Sequence, residues 1–150
     1  MKIFDCFMYF DEETVLDLRL NILDKYVDYF VIVESSFTHK GDKRDLKFNH
    51  QKFRKFKDKL IYITYDEEPS EISKNQVNER DDDAIKSRKY IENAILRENG
   101  QRNHILKGLD LAKDDDMILI SDVDEIPNLE NFDLSNIREK IILFNQDMFY

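Results

Sequence analysis

Four short apolar runs recur along this chain of 150 residues, with polar or helical segments between them. The runs are "KIFDCFMYF" (2–10), "DYFVIVE" (28–34), "LIYITY" (60–65) and "DMILIS" (116–121). Each is rich in β-branched and aromatic residues and is short for a helix, so each predicts a β-strand. Apolar runs without polar alternation are typical of strands that are buried on both faces, as in parallel sheets.

The segments between these runs predict helices. Leu16, Leu20 and Leu23 recur at helical spacing, and Thr14 with Asp17 has the spacing of a capping box, so a helix is predicted over 14–26. Other helical segments are predicted over 50–59, 85–96, 101–113 and, more briefly, 135–140. The glycine of "ENG" (98–100) is expected to separate the helices predicted over 85–96 and 101–113.

One segment breaks the alternation. Residues 66–83, "DEEPSEISKNQVNERDDD", are strongly acidic and lack periodicity, which predicts an exposed loop excursion. The excursion is too short to link two domains, and we therefore expect a single domain over 1–150.

Strands that alternate with helices predict a mainly parallel sheet with helices on both faces, an α/β fold of Rossmann-like type. Ligands of such sheets bind beyond the carboxyl ends of the strands. Acidic residues follow every predicted strand at that edge, namely Asp11, Glu34, Asp66 and Asp122. The sequence therefore predicts an acidic rim where a ligand would bind.

The fourth run ends in "SDVDEIP" (121–127). In an extended backbone Asp122 and Asp124 would project to the same side, with Val123 turned into the core. Two adjacent carboxylates repel each other, and a hard cation such as Mg²⁺ or Mn²⁺ removes that repulsion and leaves positions open for phosphate oxygens. We therefore predict Asp122 and Asp124 as metal ligands, although such a short pattern also occurs where acids merely end a strand and face solvent.

Two other kinds of site share this pattern. A calcium loop would need more oxygen ligands and a central glycine, which "DVDEIPNLENFD" lacks. An aspartyl-phosphate phosphatase also has D-x-D at the end of a buried strand, with the first aspartate as nucleophile. That strand usually begins the phosphatase chain, whereas here the pair comes late, so we retain the phosphatase only as the weaker enzyme alternative.

Composition excludes several other functions. The net charge of −9 would repel a nucleic-acid backbone over most of the surface. The three histidines are too scattered for a zinc motif. The amino terminus is neither a signal peptide nor a membrane span, and the single cysteine, Cys6, cannot form a disulfide within the chain and suits a reducing compartment.

Longer blocks carry a resemblance to a known family. In order, "IFDCFMYFDEETVLDLRLNILDKYVDYFVIVESSFTHKG", "ENGQRNHILKGL" and "DDDMILISDVDEIP" resemble the blocks of glycosyltransferase family 17, the family of β-1,4-mannosyl-glycoprotein N-acetylglucosaminyltransferase. The resemblance implies a GT-A nucleotide-sugar-binding fold, in which the D-x-D acids bind Mn²⁺ or Mg²⁺ that holds the diphosphate of the donor. It further implies transfer of a sugar, expected to be N-acetylglucosamine, from a UDP-sugar to a glycan acceptor.

The resemblance also implies roles for single residues. Asp124 is expected to coordinate the metal directly, and Asp122 to contact the ribose or a metal-bound water. The residues expected to contact or support the donor besides these two are Phe10, Asp11, Glu34, Arg102 and Glu125. Arg102 could reach the diphosphate or pair with the acids, whereas Arg19 is expected to be a structural partner of Glu34 or another rim acid. No residue is identified as the general base.

The chain also departs from the family pattern. The family domain continues beyond the metal motif, so we expect that a carboxyl-terminal part is missing. Animal relatives carry a membrane anchor, and its absence here suggests a cytoplasmic microbial or viral enzyme, which could also lie at a membrane surface. A module that binds the nucleotide sugar without transferring it is the alternative from a different class of function.

Overall fold

The computed structural model describes residues 1–133, 137 and 139–146. Its centre is a sheet of four parallel strands in the order β3-β2-β1-β4. The strands are β1 (Ile3–Tyr9), β2 (Tyr29–Ser35), β3 (Leu60–Tyr65) and β4 (Met117–Ile120). The four predicted strands and the α/β Rossmann-like class are confirmed.

Both faces of the sheet are covered. Helix α1 (Glu13–Leu23) connects β1 to β2 and packs on one face, where Phe7, Phe30 and Ile32 are buried. Helix α2 (Asp83–Asn103) and the 3₁₀ turn His104–Gly108 connect β3 to β4, and Ile105 of that turn packs on the other face. Strand β4 pairs with the side of β1 that faces away from β2 and β3. A right-handed connection to that side passes over the opposite face of the sheet, so α1 and α2 lie on different faces.

The start of α1 differs from the prediction. The helix begins at Glu13, so Thr14 lies inside it, and no side chain caps its first turn. The carboxylate of Glu12 instead accepts hydrogen bonds from the backbone N–H groups of Phe10 (3.0 Å) and Asp11 (3.1 Å). The predicted capping box is therefore wrong, and Glu12 stabilises the turn that leads from β1 into the helix.

The basic helix predicted over 50–59 is also wrong. The structure has only a 3₁₀ turn, Arg54–Phe56, and the Asn49 side chain accepts hydrogen bonds from two backbone N–H groups just before it. Phe53 and Phe56 are both buried in the core on the α1 face. A tight turn brings two aromatic rings three residues apart onto the sheet, and tertiary packing therefore outweighs local helix propensity here.

Gly100 does not interrupt α2, which runs unbroken from Asp83 to Asn103. A Cβ atom at position 100 would lie 2.2 Å from the Tyr65 hydroxyl oxygen. The glycine is needed for close packing against β3 rather than for a break. Arg102 consequently lies in the last turn of a long helix instead of opening a new one, and the second helix predicted over 101–113 reduces to the 3₁₀ turn.

Gly108 permits another close approach and leads to a prediction. A Cβ atom there would lie 2.3 Å from Val31 Cγ1 and 2.9 Å from Ile63 Cδ1. We expect Gly108→Ala to lower the free energy of unfolding by about 1–3 kcal/mol through overpacking, measured by urea denaturation. The double variant Gly108→Ala, Val31→Ala should lose less than the sum of the single losses, and strict additivity would contradict this contact.

The segment 66–83 contains no buried residue and includes the 3₁₀ turn Ser70–Lys74. It nevertheless contacts α2, because the side chains of Asn75 and Asn93 are joined by a hydrogen bond of 3.0 Å and Lys89 Nζ lies 2.7 Å from Asp81 Oδ2. The single-domain organisation stays a prediction, and half of the helix predicted over 135–140, residues 135, 136 and 138, lies outside the described residues. In the part of the chain that the structure describes, no helix is long and apolar enough to cross a membrane.

Candidate functional site

A cavity of about 870 Å³ opens at the carboxyl ends of β1 and β4. The chain passes from β1 to β2 on one side and returns to β4 on the other, so this is the topological switch point of the sheet. Ligands of open parallel sheets bind at such points, and the volume suits a small-molecule ligand. The walls come from the end of β1, the 38–42 segment, the last turns of α2 and residues 122–124.

Asp122 and Asp124 both line this cavity. Val123 between them is only 7% exposed, as predicted, whereas the two aspartates are exposed. The backbone is not extended, however, because Glu125 N donates to the Asp122 carbonyl (3.0 Å) and Ile126 N to the Asp124 carbonyl (3.0 Å). A turn rather than a strand therefore presents the two carboxylates.

Arg19 of α1 is completely buried and pairs with Asp5 of β1. Its Nε and Nη2 donate to the two carboxylate oxygens of Asp5 at 2.8 and 2.7 Å, a bidentate geometry. The predicted structural role of Arg19 is thus supported, but its partner is Asp5 and not Glu34. In the sequence, this pair is indicated by Asp5, which is a single charged residue inside an apolar strand.

The same guanidinium shapes the turn that carries the two aspartates. Arg19 Nη1 donates to three backbone carbonyls of this turn, and Nη2 also donates to the Ser121 hydroxyl at 2.7 Å. The three carbonyls, at 2.7 to 3.2 Å, belong to Asp122, Val123 and Glu125. One buried arginine therefore couples β1, α1 and the aspartate turn.

Arg102 lies beside the aspartates and pairs with acids in this structure. Its Nη2 is 3.2 Å from Asp122 Oδ1 and 2.9 Å from Glu98 Oε1. The Glu125 carboxylate accepts a hydrogen bond from Asp122 N at 3.1 Å, so it supports the turn. Among the described residues no ion pair or hydrogen bond involves the Asp124 carboxylate, which is thus open to a ligand.

Glu34 has a role that differs from the predicted one. Its side chain is fully buried and does not line the cavity, so a nucleoside cannot reach it in this arrangement. Its oxygens lie within 3.1 Å of one guanidinium, one phenol and two backbone N–H groups, those of Arg44, Tyr62, Lys47 and Phe48. Glu34 therefore anchors the 44–48 segment to the end of β2.

Phe10 and Asp11 follow β1 at the cavity. Phe10 lines the wall and is 37% exposed, and the Arg44 guanidinium lies 3.9 Å from its ring centroid. Asp11 is exposed and does not contribute to the lining. Burial, with a smaller effect of Glu34, raises the pKa of the Tyr9 phenol, just before them, to about 12.

The sequence prediction missed two parts of the wall. Gln101 is 6% exposed, and its Nε2 donates to the Val33 carbonyl at 2.8 Å at the end of β2. The 38–42 segment contributes Thr38, His39, Lys40 and Asp42. In the sequence these two parts are indicated by the "QRN" of the second family block and by the turn-forming "THKGD" (38–42).

The described residues contain no group of three or more His, Cys, Asp or Glu side chains arranged to hold a metal ion. An all-protein metal cage therefore does not fit this site. Mg²⁺ typically binds through one or two carboxylates, with water and substrate phosphates completing its coordination. The hard oxygen donors of Asp122 and Asp124, on a turn that faces a cavity, fit that second kind of site.

Comparisons with known proteins identify one protein family. The sequence profile of glycosyltransferase family 17 matches residues 1–142. The β-1,4-mannosyl-glycoprotein 4-β-N-acetylglucosaminyltransferases of Homo sapiens and Rattus norvegicus are each 32% identical to the chain over 120 residues. The match covers 77% of this chain and 20% of each relative, so the chain spans about a fifth of their length. No solved structure matches the chain.

Proposed function

Because the chain belongs to glycosyltransferase family 17, we propose that it binds a UDP-sugar with Mn²⁺ or Mg²⁺ in the cavity between β1 and β4. In this proposal the domain is of GT-A type and transfers the sugar, N-acetylglucosamine, to a glycan acceptor. The observation that carries the proposal is the aspartate turn, which presents Asp122 and Asp124 to a cavity at the switch point of a parallel sheet.

The chemistry follows from charge. Transfer from a nucleotide diphosphate develops negative charge on the departing phosphate, and the bound metal would stabilise that charge as a Lewis acid. The protein's own contribution is orientation. Arg19 fixes the backbone of the aspartate turn through buried hydrogen bonds, so little reorganisation is needed when the donor binds. Asp124 would hold the metal, and Asp122 would contact the metal or the ribose.

Family membership disfavours the aspartyl-phosphate phosphatase alternative. A module that binds the nucleotide sugar without transferring it would use the same site and would differ from an enzyme only in lacking turnover. Slow release of UDP from UDP-N-acetylglucosamine, lost in Asp124→Ala, would indicate an enzyme. Metal-dependent binding without any release during long incubation would indicate the module.

Thermal unfolding with Mn²⁺ and a panel of nucleotide sugars tests the binding part of the proposal. A ligand at about one hundred times its Kd should stabilise the protein by about 2.7 kcal/mol. We expect this shift with uridine nucleotides in the presence of metal, and its loss in Asp124→Ala. Asp110→Ala, which removes an exposed aspartate outside the cavity lining, is the matched control and should keep it. Equal shifts in the two variants, or none with any nucleotide, would contradict the proposal.

A further inference from the structure

A tight hairpin forms the cavity wall on the β2 side. Phe37 and Lys43 form an antiparallel bridge, and Thr38 N donates to the Asp42 carbonyl at 2.8 Å. The Thr38 hydroxyl accepts from Asp42 N at 3.1 Å, and Gly41 closes the turn with a φ of 96°. Because β2 and β4 lie on either side of β1, this hairpin and the aspartate turn flank the end of β1 from its two sides.

Arg97 of α2 holds the tip of the hairpin. Arg97 Nη1 donates to the His39 carbonyl at 3.1 Å, while the same guanidinium makes a bidentate pair with Glu68 at 2.8 and 3.1 Å. The φ of 96° at Gly41 is one that L side chains rarely adopt, and a Cβ atom there would lie 2.4 Å from Arg97 Nη2, so glycine suits this position. The tip of the hairpin is therefore held at a fixed position beside the cavity.

The charges on the cavity wall are unbalanced. Five carboxylates line it, those of Glu12, Asp42, Glu98, Asp122 and Asp124, and the permanent cation among the described lining residues is Lys40. The nearby guanidinium of Arg102 already pairs with two of these acids. An anionic ligand that enters this cavity would meet net repulsion even after a divalent ion has bound.

Lys40 is free to act on such a ligand. Among the described residues its side chain makes no ion pair or hydrogen bond, although it shares the cavity with Asp124. Since no ion pair joins the two, the ammonium nitrogen and the carboxylate oxygens are more than 4.0 Å apart. Both side chains border the cavity of about 870 Å³, so a ligand in it is within reach of either wall.

We propose that Lys40 binds the diphosphate of the nucleotide ligand, from the side of the cavity that the hairpin forms. This assignment rests on the proposed function. An ammonium group donates charge-assisted hydrogen bonds to phosphate oxygens, and a fixed hairpin reduces the entropy cost of ordering the lysine. Lys40 would also make the cavity bind a diphosphate more tightly than a monophosphate, because the second phosphate carries additional negative charge.

The test is calorimetric titration of UDP and UMP, with Mn²⁺ present, into the wild-type protein and three variants. Lys40→Met removes the ammonium group and keeps most of the stem, and Lys40→Arg retains a charge. Lys43→Met is the matched control, an exposed lysine on the same hairpin that does not line the cavity. We expect Lys40→Met to raise the Kd for UDP about tenfold, with a smaller effect on UMP, and Lys40→Arg to recover part of the affinity.

The outcomes separate this assignment from the function on which it rests. Wild-type affinity for UDP in Lys40→Met, or equal losses in Lys40→Met and Lys43→Met, would overturn the role of Lys40 even if Asp124→Ala abolishes binding. Absence of UDP binding by the wild-type protein would overturn both the proposed function and this assignment.

Discussion

Replacement of Arg19 by methionine should lower the free energy of unfolding by about 3–5 kcal/mol. The variant leaves the Asp5 carboxylate buried without its cation, and it leaves carbonyls of the aspartate turn without a donor. Urea denaturation at neutral pH measures the loss. Lys52→Met, which breaks the exposed ion pair with Glu13, is the control and should change stability by less than about 1 kcal/mol.

A second variant separates stability from site geometry. Arg19→Met combined with Asp5→Leu removes both buried charges and should recover much of the lost stability. It cannot restore the hydrogen bonds to the aspartate turn, so the stabilisation by Mn²⁺ and uridine nucleotide should stay weakened. If Arg19→Met cost less than about 1 kcal/mol, or the double variant bound ligand like the wild type, the role given to Arg19 would be wrong.

Replacement of Glu34 by alanine should cost about 3 kcal/mol. The carboxylate is fully buried, and its loss leaves the N–H groups of Lys47 and Phe48 without an acceptor and the Arg44 guanidinium without its ion pair. Chemical denaturation measures the stability. Hydrogen exchange measures the local effect, and we expect the amides of Lys47 and Phe48 to lose protection first.

The control for Glu34 lies on the same segment. Asp45→Ala removes an exposed carboxylate and should leave both stability and exchange nearly unchanged. Unchanged protection of the Lys47 and Phe48 amides in Glu34→Ala would contradict the anchoring role. It would instead favour contact of Glu34 with the nucleoside.

The strands were predictable from sequence, and several helix details were not. The unbroken apolar run 28–34 satisfies both faces of a buried strand, because every residue of β2 after Tyr29 is buried, so the local pattern and the tertiary environment agree. At Gly100 the local pattern and the tertiary environment disagree. Glycine has low helix propensity, but contact with Tyr65 makes it the residue that fits, and this contact cannot be inferred from the local sequence.

The candidate site was predictable only in part. The position of Asp122 and Asp124 followed from the end of an apolar run, because strand ends mark the ligand edge of a parallel sheet. The partners of Arg19 did not follow, since the turn it binds is more than 100 residues away in sequence. Lys40 did not follow for a related reason: it lies in the basic stretch "HKGDKR" (39–44), a pattern typical of solvated surface, and only the fold brings it to an acidic cavity.

The central claim is that a divalent ion and a uridine nucleotide bind together at the aspartate turn, and Mn²⁺ can report its own position. Paramagnetic broadening of amide resonances, recorded with Mn²⁺ and UDP, measures where the ion lies. The account predicts selective broadening over 9–11 and 122–124, abolished by Asp124→Ala. Broadening that centres on another acidic segment, such as 66–83 or 110–116, or that persists in Asp124→Ala, would contradict it.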